Sequence, residues 1–474
     1  KIKEKKMHNK FTKLLLAGVF GTTLALPAFG DGHSYGPFPI TLKGYSGDKT
    51  NSVSYSGQIA RHVLHDSLKK LSGTTASTNI KQITLNGMMP YFKGSNEDLA
   101  ILAPVSKGDF KIKQTTVNEI SSGKNLSGKS YKGVINGWGG LTGVEVLEHM
   151  INKAAEHGSA FDPNTGYNYP QLISKFAMGA VFYNQAVDNY LDEKLGPDNK
   201  PNNKPYKDGA YYTGKEHSWD EAFGYWGAAA HSLNLTAEQN YNITKMKDMA
   251  AADHNGDGVV DLKTEFNFAH AYYAASYDKG GKTDYFNTVT QAFVDGRKVI
   301  TAANGEALTS AQRSQLYVLR DIIGQNWEKV IAESVFKYAG SVYKDIDKLQ
   351  TIIEANGDTT KAFATYGKHW GELKGFALAL QCGKNNLGET AVKLNRMMGF
   401  GPVLLNSSQV TGVDSNGNFM KDESSGWDEY KLHMLKIQKL MVDVFAVKAR
   451  ANDQLANISD LSAKLGGSNS AEND

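Results

Sequence analysis

Apolar positions recur at helical spacing through most of this chain, and strict apolar–polar alternation is scarce. The pattern predicts helices at about 56–71, 78–91 and 142–157, across 168–195, and near 218–232, 236–251, 262–277 and 283–302. Further helices are predicted at about 310–355, 359–381, 387–399 and 427–455. In the longest, Trp327, Val330, Ile331, Val335, Tyr338 and Val342 fall on one face. In the last, Met434, Ile437, Met441, Val444 and Phe445 repeat with the same period. The chain between helices has other signals. Residues 31–53 are rich in Gly, Ser, Thr and Pro and read as an irregular lead-in, while 97–140 gives no clear period. Residues 196–215 contain Pro197, Pro201 and Pro205 and read as a surface loop. The expectation is an all-α protein of long helices packed as bundles.

An internal similarity divides this helical array. Trp219-Asp220-Glu221-Ala222-Phe223-Gly224-Tyr225 and Trp370-Gly371-Glu372-Leu373-Lys374-Gly375-Phe376 share the pattern Trp-x-Glu-x-x-Gly-aromatic. Val181-Phe182 and Val335-Phe336 lie upstream at nearly the same offset. Two matches at one offset point to duplication of a helical unit, against the alternative of chance likeness between amphipathic helices. Duplication predicts two related bundles, 31–280 and 281–456, followed by a flexible tail over 457–474.

Charge changes the picture at the N-terminus. The whole chain of 474 residues has a formal charge of +3, but residues 1–30 hold six lysines against Glu4. Without them, 46 basic residues face 48 acidic ones, so a general nucleic-acid binder is not expected. Lys10 and Lys13 precede an apolar run from Leu14 to Leu26, and Ala28-Phe29-Gly30 offers a small-residue cleavage site. Residues 1–30 therefore read as a signal peptide with residues upstream of it. The expected protein is exported, periplasmic or secreted in a bacterium, with no membrane span in the mature chain. Cys382 is the single cysteine, which excludes an intramolecular disulfide and any multi-cysteine metal site.

Three groups of residues carry candidate chemistry. On a helix, His217, Asp220 and Glu221 share a face at spacings of three and four, and His369 and Glu372 do so at three. Each set can aim an imidazole and a carboxylate into a bundle interior, beside a glycine that leaves room for another helix or a ligand. Such sets can bind a metal, supply an acid–base pair, or simply make a structural hydrogen bond. The third group is Asp253-His254-Asn255-Gly256-Asp257-Gly258-Val259-Val260-Asp261, which fits the start of an EF-hand-type calcium loop over 253–265. Asp253, Asn255, Asp257 and Asp261 would supply side-chain oxygens and Val259 its carbonyl. The twelfth position is Thr264, so a bidentate Glu265 needs a loop one residue longer. A metal-free turn is the alternative. Arg61, His62 and His65 on the first helix could reach a site between bundles but read first as a solvated face, and Cys382 reads as a buried thiol. There is no His-Glu-x-x-His motif, phosphate loop or Gly-x-Ser-x-Gly elbow.

Gly367-Lys368-His369-Trp370-Gly371-Glu372 resembles the Gly-x-His-x-x-Glu signature of imelysin-like proteins, exported bacterial proteins of two helical bundles associated with iron regulation. The segment Glu216 to Tyr225 and the Asn255 to Gly258 loop resemble, more closely, an uncharacterised group of exported helical proteins related to them. The resemblance implies a functional site at His369 and Glu372, without assigning their roles, and iron uptake as a context. The expected function is binding of a metal ion or small ligand between the bundles, at His217, Asp220, Glu221, His369 and Glu372. Calcium is the expected structural cofactor, with iron or zinc a further candidate. Two alternatives remain open: a metal-dependent peptidase, and a scaffold for a cell-envelope protein.

Overall fold

The computed structural model describes residues 33–74, 80–94, 97–385 and 387–466. The leader read at 1–30 and the end of the chain, 467–474, lie outside the described residues. Helix makes up 55% of the structure and the strands are few and short, so the protein is mostly helical. Fourteen α-helices are formed among the described residues. They are α1 (Ser56–Ser72), α2 (Ile80–Lys93), α3 (Gly143–His157), α4 (Tyr169–Ala177) and α5 (Gly214–Trp226). Next come α6 (Ala237–Thr244), α7 (Met249–Ala252), α8 (Ala269–Asp278), α9 (Tyr285–Ala302) and α10 (Ser310–Glu354). The last are α11 (Thr360–Leu380), α12 (Glu389–Met398), α13 (Trp427–Phe445) and α14 (Ile458–Lys464).

Local chemistry sets several of these boundaries. Four helices start at a capping box, in which a threonine receives the backbone N–H three residues on and a Glu or Gln side chain returns the bond. The pairs are Thr142/Glu145, Thr213/Glu216, Thr236/Gln239 and Thr309/Gln312. Thr213 thereby starts α5 at Gly214, earlier than the apolar period suggests. That helix ends at Gly227, whose φ of 82° is left-handed and strained for any side chain. The helix predicted across 168–195 is continuous only in outline. After α4 the turns widen to π-helix over Met178–Tyr183 and Gln185–Tyr190. Gly179 lies there against α11, where a methyl would stand 2.3 Å from the Ala379 methyl.

α10 is the spine. It packs against α8, α9, α11 and α13, and α11 in turn packs along α4. Trp327, Val330, Ile331, Val335, Tyr338 and Val342 are all buried, as their spacing predicts. The α4–α11 contact joins the two spans read as separate bundles, and the buried apolar side chains form one continuous cluster from Tyr35 to Leu461. The stretch 97–140 has little regular structure yet is not peripheral. It delivers Phe110, Ile112, Leu126, Ile135 and Trp138 to that cluster.

The C-terminal third departs most from the pattern. α13 stops at Phe445, ten residues short of the predicted end, and the chain then turns onto Glu333. That fully buried carboxylate accepts the backbone N–H groups of Lys448, Ala449 and Arg450 at 2.5, 2.7 and 2.9 Å. A hairpin of β3 (Ser408–Val413) and β4 (Phe419–Glu423) adds to a small one of β1 (Phe161–Asp162) and β2 (Tyr167–Asn168). Within the span read as a flexible tail, α14 is ordered on α13, with Leu461 buried.

Candidate functional site

The first Trp-x-Glu segment lies on α5, and its polar groups are spent inside the fold. Glu216, whose capping role fixes its position, also accepts from Thr41 at 2.8 Å and from Arg297 of α9 at 3.2 Å. Asp220, one turn on, accepts from the Tyr35 hydroxyl at 2.8 Å, the Ser54 amide at 3.0 Å and Arg297 Nε at 2.9 Å. Arg297 completes its set with Ser52 and Thr301, both at 2.6 Å. All three charged side chains are fully buried. Burial pushes the Asp220 carboxyl up to about 6 despite the adjacent guanidinium. The irregular lead-in is therefore a lid over this triad, tied down by Tyr35, Thr41, Ser52 and Ser54.

His217 and Glu221 do meet, at 3.7 Å, as their helical spacing predicts. Their surroundings are crowded, each side chain keeping 12% exposure. The imidazole stacks on Tyr212 at 4.2 Å between ring centres, with Tyr206 edge-on at 4.4 Å. Glu221 also accepts from Gln58 at 2.9 Å and Tyr206 at 3.1 Å. Burial pushes His217 down to about 4, against the opposing pull of Glu221, so it is neutral at neutral pH. Gly224 is where α1 crosses, and a methyl there would lie 2.8 Å from both Tyr55 Cβ and Gln58 Cβ.

The second segment lies on α11 and has the same skeleton. Trp370 is buried and donates to the Tyr430 hydroxyl at 2.6 Å, as Trp219 donates to the Phe293 carbonyl at 2.8 Å. Gly375 is where α4 crosses, with Lys175 Cβ 2.6 Å from the position of a methyl. The polar face differs. His369 and Glu372 stand on the wall of a cavity of about 710 Å³, bounded by α1, α4, α6, α8, α10 and α11. His369 Nδ1 is 2.6 Å from Asp345, and Glu372 neighbours the Tyr338 hydroxyl. His217, Asp220 and Glu221 do not line this cavity. The structure thus keeps the two predicted His/Glu sets apart, and only the second lines this cavity.

The cavity also gathers residues that the sequence pattern did not single out. Lys69, Lys175, Lys245, Lys337, Lys344 and Lys368 line it, facing only Asp66, Asp345 and Glu372 as acids. Lys245, Lys344 and Lys368 are at the exposed rim, Lys69 and Lys337 are half-buried, and Lys175 is 2% exposed. The Lys175 ammonium lies 5.4 Å from the Tyr273 ring centre and 5.9 Å from that of Phe376. Burial, and then the neighbouring Lys69, push it well below the usual lysine range. The one sequence signal was Lys175 itself, a charge within the apolar run of α4.

The predicted calcium loop is self-supporting. Asp253 accepts the backbone N–H groups of Asp257 and Gly258 at 3.1 and 2.9 Å, and Asn255 accepts that of Asp257 at 2.8 Å. Glu265 turns inward onto the amides of His254, Asn255 and Asp261 at 3.1, 3.3 and 2.8 Å. Asp261 is held by Gln114 at 2.7 Å and lies 3.5 Å from Lys113. The oxygens of Asp253, Asn255 and Asp257 and the Val259 carbonyl suit calcium by type, while Asp261 and Glu265 are engaged by the protein. Among the described residues, no group of three or more His, Cys, Asp or Glu side chains is arranged to hold a metal ion.

His62 and His65 are buried, not solvated. They sit 3.0 Å from the Gly224 and Ser174 carbonyls respectively. Arg61 donates to the Asn125 and Gly57 carbonyls. Cys382 is buried, and burial raises its thiol well above the usual range. No helix among the described residues is long and apolar enough to cross a membrane.

Residues 44–388 match the model of a family described as a domain of unknown function, DUF4856, and the chain belongs to that family. The match spans both Trp-x-Glu segments and the 253–265 loop. No curated protein and no solved structure matches the chain.

Proposed function

We propose that this member of the DUF4856 family is a binding protein for a small ligand, held in the cavity that His369 and Glu372 line. The observation that carries the reading is the cavity itself. Its volume of about 710 Å³ falls in the range of small-molecule sites, and its polar groups come from six helices, a rigid frame. His369 and Glu372 belong to the Gly-x-His-x-x-Glu pattern on which a kinship to imelysin-like proteins is proposed. The leader pattern at 1–30 supports export to the periplasm or medium, and metal uptake is the proposed context. A bare iron or zinc ion has little to hold it here, because the ammonium groups outnumber the carboxylates two to one. In this reading any metal enters with its ligand. Calcium is proposed as a structural rivet at Asp253, Asn255, Asp257 and the Val259 carbonyl.

The experiment is a thermal-shift screen of small ligands on the full chain, followed by titration of the hits. A hit whose affinity changes in His369→Ala and Glu372→Gln, but not in His217→Gln, supports the cavity. Hits that ignore both cavity variants count against it.

A further inference from the structure

We propose that the ligand of this cavity is a small organic polyanion, one carrying two or more carboxylate or phosphate groups. The inference rests on the reading that the cavity binds a ligand, and adds that ligand's chemistry. Its basis is the placement of charge. Two of the three carboxylates on the wall are already taken: Asp66 lies 2.9 Å from His65 and Asp345 lies 2.6 Å from His369, while Glu372 neighbours the Tyr338 hydroxyl. Among the described residues, none of the six lysines pairs with a carboxylate within 4.0 Å. Lys344 reaches only an amide oxygen, that of Asn452 at 3.0 Å.

Lys175 makes the case strongest. An ammonium group that is 2% exposed should have a counter-charge, because leaving water costs it heavily. Instead it faces two aromatic rings, and the charge that acts on it most is the like charge of Lys69, ahead of the opposite charges of Glu372 and Asp66. Like charges drawn together at the inner wall of an open cavity are stabilised when an anion enters between them. Tyr241 and Tyr272, stacked with ring centres 5.3 Å apart, also line the cavity and bring hydroxyl groups to it. A bare cation would be repelled, whereas an anionic metal chelate would be accepted. The polyanion thus remains compatible with a role in metal uptake.

The test is calorimetric titration of the apo full chain, at low salt, with citrate and pyrophosphate, glucose as the neutral probe and zinc chloride as the bare cation. Citrate or pyrophosphate should bind, and the preferred one tells carboxylate from phosphate chemistry. Lys175→Met should weaken binding by about tenfold or more. Because Lys175 is packed, Lys69→Gln/Lys245→Gln carries the same expectation at less buried positions, with Lys361→Met, outside the cavity, as the unaffected control. Glu372→Gln should tighten polyanion binding, since it removes a negative charge. The proposal is overturned if neither polyanion binds, if the lysine variants leave affinity unchanged, or if Glu372→Gln weakens it. Glucose or zinc binding that depends on Glu372 would overturn it while leaving the cavity reading intact. If no probe responds to any cavity variant, both fall.

Discussion

The two Trp-x-Glu-x-x-Gly segments share a skeleton and differ in what surrounds it. In both, the tryptophan anchors the helix through its indole N–H, and the glycine lets a second helix cross. On α5 every carboxylate then meets a protein partner: Glu216 and Asp220 meet Arg297, and Glu221 meets Gln58 and Tyr206. On α11 the corresponding face opens onto a cavity whose lysines lack such partners. Helix register places an imidazole and a carboxylate together. The neighbouring helices decide whether that pair is structure or site.

Several changes separate the two roles, and the largest should be at the sealed triad. Arg297→Met leaves Glu216 and Asp220 buried without their cation, and should cost about 3–5 kcal/mol in urea unfolding. The ligand affinity of the folded fraction should not change. Replacing all three charges with neutral residues should recover much of that loss, which a simple packing defect would not do.

Acid should act next, again on the first region. Burial pushes His217 down to about 4 and His62 to about 3, so both stay neutral when folded and protonate more readily when unfolded. Stability from them is complete above pH 6.5 and is lost as pH falls toward those values. Between pH 7 and pH 5 the loss should be about 2 kcal/mol for each. His217→Gln should flatten part of that slope, measured as Tm against pH.

Gly224→Ala and Gly375→Ala probe the shared skeleton. Each puts a methyl within 2.8 Å of side-chain carbon on the crossing helix, so each should cost about 1–3 kcal/mol. Only Gly375→Ala should also lower ligand affinity, because it displaces Lys175. If both or neither change binding, the contrast between the regions is wrong. The smallest effect should come from calcium, which should raise Tm by roughly 2 °C or more at saturation. Asp253→Ala/Asp257→Ala should abolish that shift, and an unchanged shift would remove the rivet.

Much of the fold was legible because helices write their burial into the spacing of apolar residues. The α10 face is the clearest case, and the His217–Glu221 contact follows from the same geometry. What was illegible depends on distant partners. Asp220 looks like a site residue until Arg297, one turn beyond Phe293 on the apolar face of α9, is seen to claim it. The early end of α13 follows from Glu333, more than a hundred residues away, capturing three amides. The β3–β4 hairpin did leave a local trace, Asp414-Ser415-Asn416-Gly417 between short apolar runs, but too brief to outweigh helical periodicity. The cavity lysines are the extreme case. They come from α1, α4, α10, α11 and the end of α6, and singly each reads as a solvated charge.

The most direct test compares citrate isotherms and Tm for the unaltered chain, Glu372→Gln and Asp220→Asn. Glu372→Gln should tighten citrate binding with little effect on Tm, while Asp220→Asn should lower Tm and leave the isotherm of the folded protein unchanged. Citrate affinity that follows Asp220 and ignores Glu372 would contradict that contrast.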